Sequence, residues 1–314
     1  MKSSKNTTLR GTEQSWDSSF RQHKLTIVQD MIKQIEEGSA KSGPKVEFPQ
    51  AGDSQIDPIR KRFEIAQSVI LKAGALANEY FGCIGTLTVK SKGSHDLVSE
   101  ADLNTELLIR DSFEKEFPED AFLGEESGHA EFQARRGVWV VDPIDGTQPF
   151  LSGIPNWCIS IAYVLDGKLE FGLVYNPPCN ELFAGGRAFP ATVNGRSIAV
   201  HAGTDLSAGL VSIGFSPRSP HSFLFDSMTK LLEQKGMFFR NGSGALSLAY
   251  VAGGRLLGHV EPHMHSWDCL GAIAIIEAAG GRVNEFLVGD ALLTGNRVVA
   301  GAPAVFEQLH SLLG

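Results

Sequence analysis

The amino-acid sequence predicts a layered α+β protein with a largely antiparallel sheet. Two apolar runs, 158–164 and 169–175, flank the dipeptide Asp166-Gly167, which favours the tight turn of a β-hairpin. Segments with apolar residues at helical spacing precede and follow this strand-rich middle. A chain that mixes hairpins with amphipathic helices buries its apolar surface by stacking helices on sheets.

The predicted elements run in order from Asp57. Asp57-Pro58 combines an N-cap residue with proline at the first helical position and starts a helix that extends to about Tyr80. A second helix is predicted from Ser99 to Phe117, and the apolar run 138–141 predicts a buried strand. The remaining predictions are strands at 209–213 and 297–300 and helices at 222–234, 243–251, 267–279 and 304–313.

Residues 1–56 differ from the rest of the chain. Apolar residues recur there at helical spacing and predict one amphipathic helix: Trp16, Phe20, Leu25, Val28, Ile32 and Ile35. A polar stretch rich in Gly, Ser and Pro follows, as in a linker. We interpret 1–56 as an N-terminal extension and 57–314 as the folded domain, with an α+β part at about 57–195 and an α/β part at about 196–314.

The composition narrows the class of protein. The chain has 314 residues, of which 42% are hydrophobic and 20% charged, which excludes a wholly disordered chain, a collagen and a coiled coil. The formal net charge of −8 makes binding to a nucleic-acid backbone unfavourable. Four scattered cysteines and the lack of an apolar signal core predict a cytoplasmic protein with no membrane partner.

The strongest chemical signal is the hexapeptide 142–147, called here the DPIDGT motif. An apolar strand ends at Asp142, and Asp145 follows on a turn that contains proline and glycine. Carboxylates and a turn carbonyl can converge on a hard cation, while Gly146 lets backbone N–H groups approach an anion. Taken alone, the motif is equally compatible with an ordinary β-turn.

Three further acidic motifs occur along the chain. Glu125 and Glu126 follow a short apolar run; on a strand they would point to opposite faces, so that one binds a metal while the other supports it. Asp268 lies in the first turn of a predicted helix, and Asp96 resembles a helix cap with Asp102 one turn later. The alternatives are a solvated charged loop and exposed acids at helix starts.

Three histidines precede the predicted helix at 267–279. The spacing of His259, His263 and His265 is compatible with zinc binding, but no cysteine or H-E-x-x-H pattern accompanies them. We therefore favour polar residues that line a cleft.

Jointly, the acidic motifs are specific. In the order D-L-V-S-x-A-D, G-E-E-S, D-P-I-D-G-T and W-D, they resemble the inositol monophosphatase family of magnesium-dependent, lithium-sensitive phosphatases over about residues 58–312. The resemblance implies a layered α/β/α/β/α sandwich of the inositol monophosphatase and sugar bisphosphatase type, usually in a homodimer. It also implies two or three Mg²⁺ ions and a small phosphorylated substrate.

The resemblance implies a role for each matching position. The metal ligands would be Glu125, Asp142, the Ile144 carbonyl, Asp145 and Asp268. The catalytic group would comprise Glu125, Thr147, which positions the attacking water, and Asp102, which hydrogen-bonds Thr147. The substrate would contact the backbone of Gly146 and Thr147 through its phosphate, and Gly242, Ser243, Gly244 and Glu261 through its hydroxyls. Supporting positions would be Glu126 and Lys92, with Lys90 as an alternative to Lys92.

The expected activity is Mg²⁺-dependent hydrolysis of a small phosphate monoester by metal-activated water. The segments N-P-P at 176–178, E-L-F at 181–183 and N-G at 194–195 resemble the inositol branch of the family, which implies an inositol monophosphate. Alternatives are histidinol phosphate, sugar bisphosphates and phosphoadenosine phosphates. A non-catalytic component of a protein or RNA complex is the alternative of another class. One departure from the family pattern is Pro149, where asparagine is frequent.

Overall fold

The computed structural model describes residues 57–93, 96–128, 137–216 and 219–313. The predicted extension and its amphipathic helix lie outside these residues. The helices are α1 Pro58–Gly82, α2 Glu100–Glu116, α3 Thr147–Leu151, α4 His221–Glu233, α5 Gly244–Ala252, α6 Ser266–Ala278, α7 Ala291–Thr294 and α8 Phe306–Leu312. The first strands are β1 Val89–Gly93, β2 Asp96–Ser99, β3 Ala121–Gly124, β4 Gly137–Asp145, β5 Cys158–Leu165, β6 Lys168–Asn176 and β7 Glu181–Gly186. The others are β8 Phe189–Val193, β9 Arg196–Ser197, β10 Leu210–Ile213, β11 Met237–Phe239, β12 Gly258–Met264, β13 Arg282–Val283 and β14 Asn296–Gly301.

Two large sheets organise the domain. The first has seven strands in the order β3-β4-β5-β6-β7-β8-β9 and is antiparallel except for the parallel pair β3 and β4. The second has five strands in the order β11-β10-β12-β14-β13, and β10 runs parallel to both its neighbours. The first sheet confirms the prediction of a largely antiparallel sheet, whereas the second is mixed, with two parallel and two antiparallel pairs. Helices α4 and α5 each form a crossover between strands there, and parallel pairing requires such crossovers.

The helices and sheets stack in five layers. Helices α1 and α2 pack on the outer face of the seven-stranded sheet, and α5 and α6 fill the space between the two sheets. Helices α4 and α8 cover the far face of the five-stranded sheet. This is the α/β/α/β/α sandwich that the motifs imply. No helix in the described ranges is both long enough and apolar enough to cross a membrane.

Side-chain caps define where the first two helices begin. Asp57 accepts a hydrogen bond from the Ile59 backbone N–H at 3.0 Å, which confirms the predicted start of α1. Ser99 caps α2, and its backbone N–H donates to the Asp102 carboxylate at 2.8 Å. The expectation that Asp96 caps this helix is wrong, because Asp96 starts strand β2 and the helix begins only after that strand ends.

Strand β4 ends within the DPIDGT motif, at Asp145. It runs antiparallel to β5, with Asp142 opposite Ser160 and Asp145 opposite Cys158. Three residue steps on β4 therefore face two on β5, which is a β-bulge. The bulge lets two aspartates three positions apart lie at the same end of the strand.

Glycines bring helix α6 against the backbone of the seven-stranded sheet. A Cβ atom on Gly172 of β6 would overlap the carbonyl group of Gly271 on α6. A Cβ on Gly271 would in turn lie 2.7 Å from Ser160 Oγ and 3.1 Å from two sheet carbonyl oxygens. The close approach fixes the first turn of α6, which contains Asp268, beside the end of β4.

A buried ion pair ties helix α1 to the sheet. Arg62 donates to Asp120 at 2.7 and 3.1 Å, and the two side chains are 11% and 3% exposed. Asp120 also accepts from Trp139 Nε1 at 3.1 Å and from the Tyr163 hydroxyl at 3.2 Å. Arg62 further contacts Glu119, whose side chain is 66% exposed. These four donor atoms belong to residues of α1, β4 and β5, so the Asp120 carboxylate links three elements.

We expect Asp120→Asn to lower the free energy of unfolding by about 3 kcal/mol, because it leaves the buried Arg62 charge without its partner. Glu119→Gln is the matched control and should cost at most about 1 kcal/mol, since its contact with Arg62 is solvent-exposed. Urea denaturation of both variants measures the difference. Equal losses would contradict the assignment of the buried pair as the stabilising contact.

Candidate active site

Three aspartates meet at a cavity of about 270 Å³. Carboxylate oxygens of Asp142, Asp145 and Asp268 lie within 4.8 Å of one another. Asp142 is 1% exposed at the end of β4, and Asp268 comes from the first turn of α6. The close approach of α6 to the sheet thus brings together Asp142 and Asp268, which are 126 positions apart in the chain. Three oxygen ligands at this spacing suit a hard cation such as Mg²⁺.

Protein donors fix the orientation of each aspartate. The Ile144 backbone N–H donates to Asp142 Oδ1 at 2.9 Å, and the His265 N–H donates to Asp268 Oδ2 at 3.0 Å. Asp145 Oδ2 accepts from the Ala245 N–H at 2.7 Å and from the Ser243 hydroxyl. The carboxylates are therefore held in place by the fold itself.

The pKa values of these acids show how costly their charges are. Burial raises the pKa of Asp142 well above its ordinary value, and four neighbouring carboxylates add to the increase: Glu125, Asp145, Asp268 and Asp102. Burial also raises the pKa of Asp145 to about 6, although hydrogen bonds from Ser243, Ala245 and Gly244 oppose that shift. Divalent cations would relieve the accumulated negative charge, so the residues fit a metal centre.

Thr147 contacts two oxygen acceptors beside the acidic centre. Its Oγ1 lies 3.3 Å from Asp102 Oδ1 and 3.2 Å from the Ile144 carbonyl oxygen. Asp102 is fully buried, and the Ser99 hydroxyl and N–H donate to its Oδ2 at 2.6 and 2.8 Å. The alternative of an exposed helix-start acid is therefore wrong. A Thr147 hydroxyl that donates to either acceptor keeps its lone pairs available to a water.

The turn within the motif requires glycine. Gly146 has a φ of +97°, and a Cβ there would lie 2.8 Å from the Asn156 carbonyl oxygen. Helix α3 then begins at Thr147 despite the unusual Pro149, because the N–H groups of a first helical turn need no intrahelical partner. The Phe150 N–H donates to the Gly146 carbonyl at 2.9 Å and closes that turn.

Glu125 and Glu126 lie in a turn, because strand β3 ends at Gly124. The expectation that they alternate along a strand is therefore wrong. Glu106 of α2 shapes the turn: it accepts from the Glu126 N–H at 2.8 Å, and its carboxylate fills the space that a Cβ on Gly124 would need. Arg110 donates to Glu106 at 2.9 Å. Glu125 lines the cavity next to the aspartates.

The same cavity is lined by the four positions expected to meet substrate hydroxyls: Gly242, Ser243, Gly244 and Glu261. The Ser243 side chain is 2% exposed; its hydroxyl donates to Asp145 and accepts from the Leu246 N–H at 3.2 Å, capping α5. The same hydroxyl thus orients the Asp145 carboxylate and caps α5. The side chains of Lys90 and Lys92 lie outside the described part of the chain.

Polar groups that the motifs did not identify line the same cavity. Three of its buried nitrogen atoms have no hydrogen-bond partner within the described residues: Asn241 Nδ2, His259 Nε2 and His263 Nδ1. The cleft interpretation of the histidines is therefore confirmed for His259 and His263 but not for His265, which is not among the residues that line this cavity. The alternation of His259 and Glu261 along a strand was the available signal, because residues two apart share one face.

The family model described as the inositol monophosphatase family matches residues 59–313. The chain belongs to this family. Its members are magnesium-dependent phosphatases, so this protein is a phosphatase whose substrate is a small phosphorylated molecule. The acidic cluster at the end of β4 is the feature of this fold that suits the family's metal.

Relatives and solved structures agree with this family assignment. The chain is 34% identical over 248 residues to the Nus factor SuhB of Escherichia coli K12, covering 78% of this chain and 92% of the relative. It is 37% identical over 242 residues to an inositol-1-monophosphatase of Mesorhizobium japonicum, covering 76% and 91%. The crystal structure of the extragenic suppressor protein suhB from Bartonella henselae superposes with a TM-score of 0.76 at 31% identity, covering 81% and 98%.

We expect the metal-free protein to lose stability as the pH rises from about 4 to about 6. Folding raises the pKa of Asp145 from an ordinary value of 3.8 to about 6, so the folded state binds more protons than the unfolded state in that window. Asp142 shifts in the same direction. Asp142→Asn should therefore raise the melting temperature in EDTA at about pH 8 by roughly 2–4 °C.

The same variant should lose most of the increase in melting temperature that Mg²⁺ gives the unmodified protein. Asp226→Asn, an exposed substitution on α4, is the control and should change neither result. Thermal unfolding in EDTA and in Mg²⁺ measures both effects. A destabilised Asp142→Asn protein in EDTA would contradict the argument that charge repulsion dominates at this position.

Proposed function

We propose that the protein hydrolyses a small phosphate monoester in a Mg²⁺-dependent reaction, with an inositol monophosphate as its substrate. The observation that carries this proposal is that two chemically different sets of groups line one cavity. Three aspartate carboxylates lie within 4.8 Å of one another, and Gly242, Ser243, Gly244 and Glu261 line the same cavity. The aspartates suit metal ions and phosphate, and the second set suits an alcohol with several hydroxyl groups.

The metal ligands we propose offer oxygen atoms and line the cavity: Glu125, Asp142, the Ile144 carbonyl, Asp145 and Asp268. Two or three Mg²⁺ ions bound there supply the positive charge that neutralises a phosphate and makes a water more acidic. This also explains how a protein of net charge −8 accepts an anionic substrate. The turn built by Glu106 and Glu126 holds Glu125 at the edge of the cavity.

Thr147 and Asp102 orient the nucleophilic water in this proposal. Buried Asp102 accepts a hydrogen bond from the Thr147 hydroxyl, with 3.3 Å between Oγ1 and Oδ1. This bond points a Thr147 lone pair toward a water that can attack phosphorus. The backbone N–H groups of Gly146 and Thr147 would receive the phosphate oxygens. The alcohol leaves on the side of Gly242, Gly244 and Glu261. No side chain needs to become phosphorylated.

The identity of the alcohol rests on weaker support than the chemistry. The Mesorhizobium relative bears the name inositol-1-monophosphatase, which favours an inositol phosphate over histidinol phosphate, sugar bisphosphates and phosphoadenosine phosphates. We also propose a homodimer, as is usual in the family. Several relatives bear the name Nus factor, so a role in a larger assembly is the second candidate.

Phosphate release from a panel of monoesters tests the proposed function. With Mg²⁺, myo-inositol 1-phosphate should be hydrolysed with a higher kcat/KM than histidinol phosphate, fructose 1,6-bisphosphate or phosphoadenosine phosphate. EDTA or Asp142→Asn should abolish release, because Asp142 lies at the centre of the acidic cluster. Release that persists in EDTA would contradict the metal mechanism. No release from any ester would favour the second candidate.

Thr147→Ala should lower kcat by about 100-fold while changing KM little, since the hydroxyl acts on the attacking water and the backbone N–H groups remain. Thr147→Ser retains the hydroxyl and should keep most of the activity. Steady-state kinetics with Mg²⁺ separate the two constants. An effect confined to KM, or equal losses in both variants, would count against the role given to the hydroxyl.

A further inference from the structure

His259 is the middle member of a row of three polar residues that border the cavity: Ser212, His259 and Glu261. It is fully buried on β12, directly opposite Ser212 on the parallel strand β10. Its Nδ1 is 3.0 Å from Ser212 Oγ, and its Nε2 is 3.5 Å from Glu261 Oε2. The row ends at Glu261, a carboxylate that lines the cavity.

The neighbours of His259 determine which of its nitrogens carries the proton. If Nδ1 were protonated and donated to Ser212, the Nε2 lone pair would face the Glu261 carboxylate, and two acceptors would oppose each other. If Ser212 donates its hydroxyl proton to Nδ1, Nε2 carries the proton and faces Glu261 as a donor. The second arrangement avoids a repulsive buried contact, so we infer the Nε2-protonated tautomer.

Glu261 is confined from two sides. His259 lies against one side, and on the other side a Cβ on Gly214 would overlap the Glu261 carboxylate. The side chain of Glu261 is 11% exposed, and that exposure is toward the cavity it lines. The separation of 3.5 Å from His259 exceeds a hydrogen bond, and Nε2 has no other partner within the described residues. A small rotation of Glu261 would complete the contact.

The row has the residue types of a nucleophilic Ser-His-Glu triad, but its burial excludes that role. Both residues border the cavity, but Ser212 is 2% exposed and His259 is fully buried, so neither presents the accessible surface that a nucleophile needs. His259 can therefore act on the substrate only through Glu261.

We propose that His259, oriented by Ser212, is a positioning residue that fixes the Glu261 carboxylate as the acceptor for one hydroxyl of the substrate alcohol. The inference rests on the proposed phosphatase function and deepens it by naming what selects the alcohol. The carboxylate accepts a hydrogen bond from a hydroxyl of a neutral polyol and repels a second phosphate placed against it. It gains nothing from an ester whose leaving group has no additional hydroxyl. The favoured substrate class is therefore the monophosphate of a neutral, polyhydroxylated alcohol.

The test compares myo-inositol 1-phosphate with p-nitrophenyl phosphate, whose leaving group has no additional hydroxyl. His259→Phe should lower the ratio of the two kcat/KM values by about 10- to 30-fold, the worth of a hydrogen bond to a charged group, mainly through a higher KM for the polyol ester. His259→Gln, whose amide N–H can face Glu261, should restore most of that ratio. His310→Phe on α8 is the control and should leave the ratio unchanged.

A ratio that is unchanged in His259→Phe, or lowered equally in His259→Gln, would overturn the proposal. Melting temperatures show whether each variant is folded; if His259→Phe is not, His259→Gln and Ser212→Ala carry the comparison, and Ser212→Ala should lower the ratio about threefold.

¹⁵N NMR of the full chain provides a readout independent of turnover. The Nε2-protonated tautomer is expected for His259, and the Nδ1-protonated tautomer would refute the proposal. If the unmodified protein releases no phosphate, the proposed function fails while the NMR result still decides the arrangement of His259.

Discussion

The proximity of like charges is the constraint on which the rest of the structure depends. Buried Asp142, with Asp145 and Asp268 beside it, costs free energy that the metal-free protein does not recover from ion pairs, as the raised pKa values show. The fold tolerates this because backbone and hydroxyl donors supply each carboxylate with a hydrogen bond. A centre held this way is ready for a cation before the cation arrives, so little reorganisation is needed on binding.

Packing between layers sets the distance within that centre. Asp142 belongs to the seven-stranded sheet and Asp268 to the helix layer beneath it. Their separation is therefore fixed by how closely α6 approaches β6, which in turn depends on Gly172 and Gly271. A methyl group at either glycine would push the helix outward and move one ligand away from the others. Gly172 and Gly271, which do not line the cavity, thus help to determine the geometry of the metal site together with the acids.

The sequence predicts the local features of the site and misses those made by distant contacts. The DPIDGT motif can be located because an apolar strand, two aspartates and a turn glycine are adjacent in the chain. The turn at Glu126 depends on Glu106, which lies 20 residues earlier on another element, and no local pattern reveals that contact. Likewise, strands β10 and β11 pair in parallel because helices return the chain, a property of topology that short apolar runs do not encode.

The two sets of groups that line the cavity follow different physical rules. Among the clustered carboxylates, a change in any one disturbs the charge balance of the others. Under the proposal, Glu261 would contact one hydroxyl of the substrate, and His259 would act only on the position of Glu261. A change at His259 would then alter which alcohol is preferred while the hydrolytic centre stays the same, which is how one phosphatase fold can serve different esters.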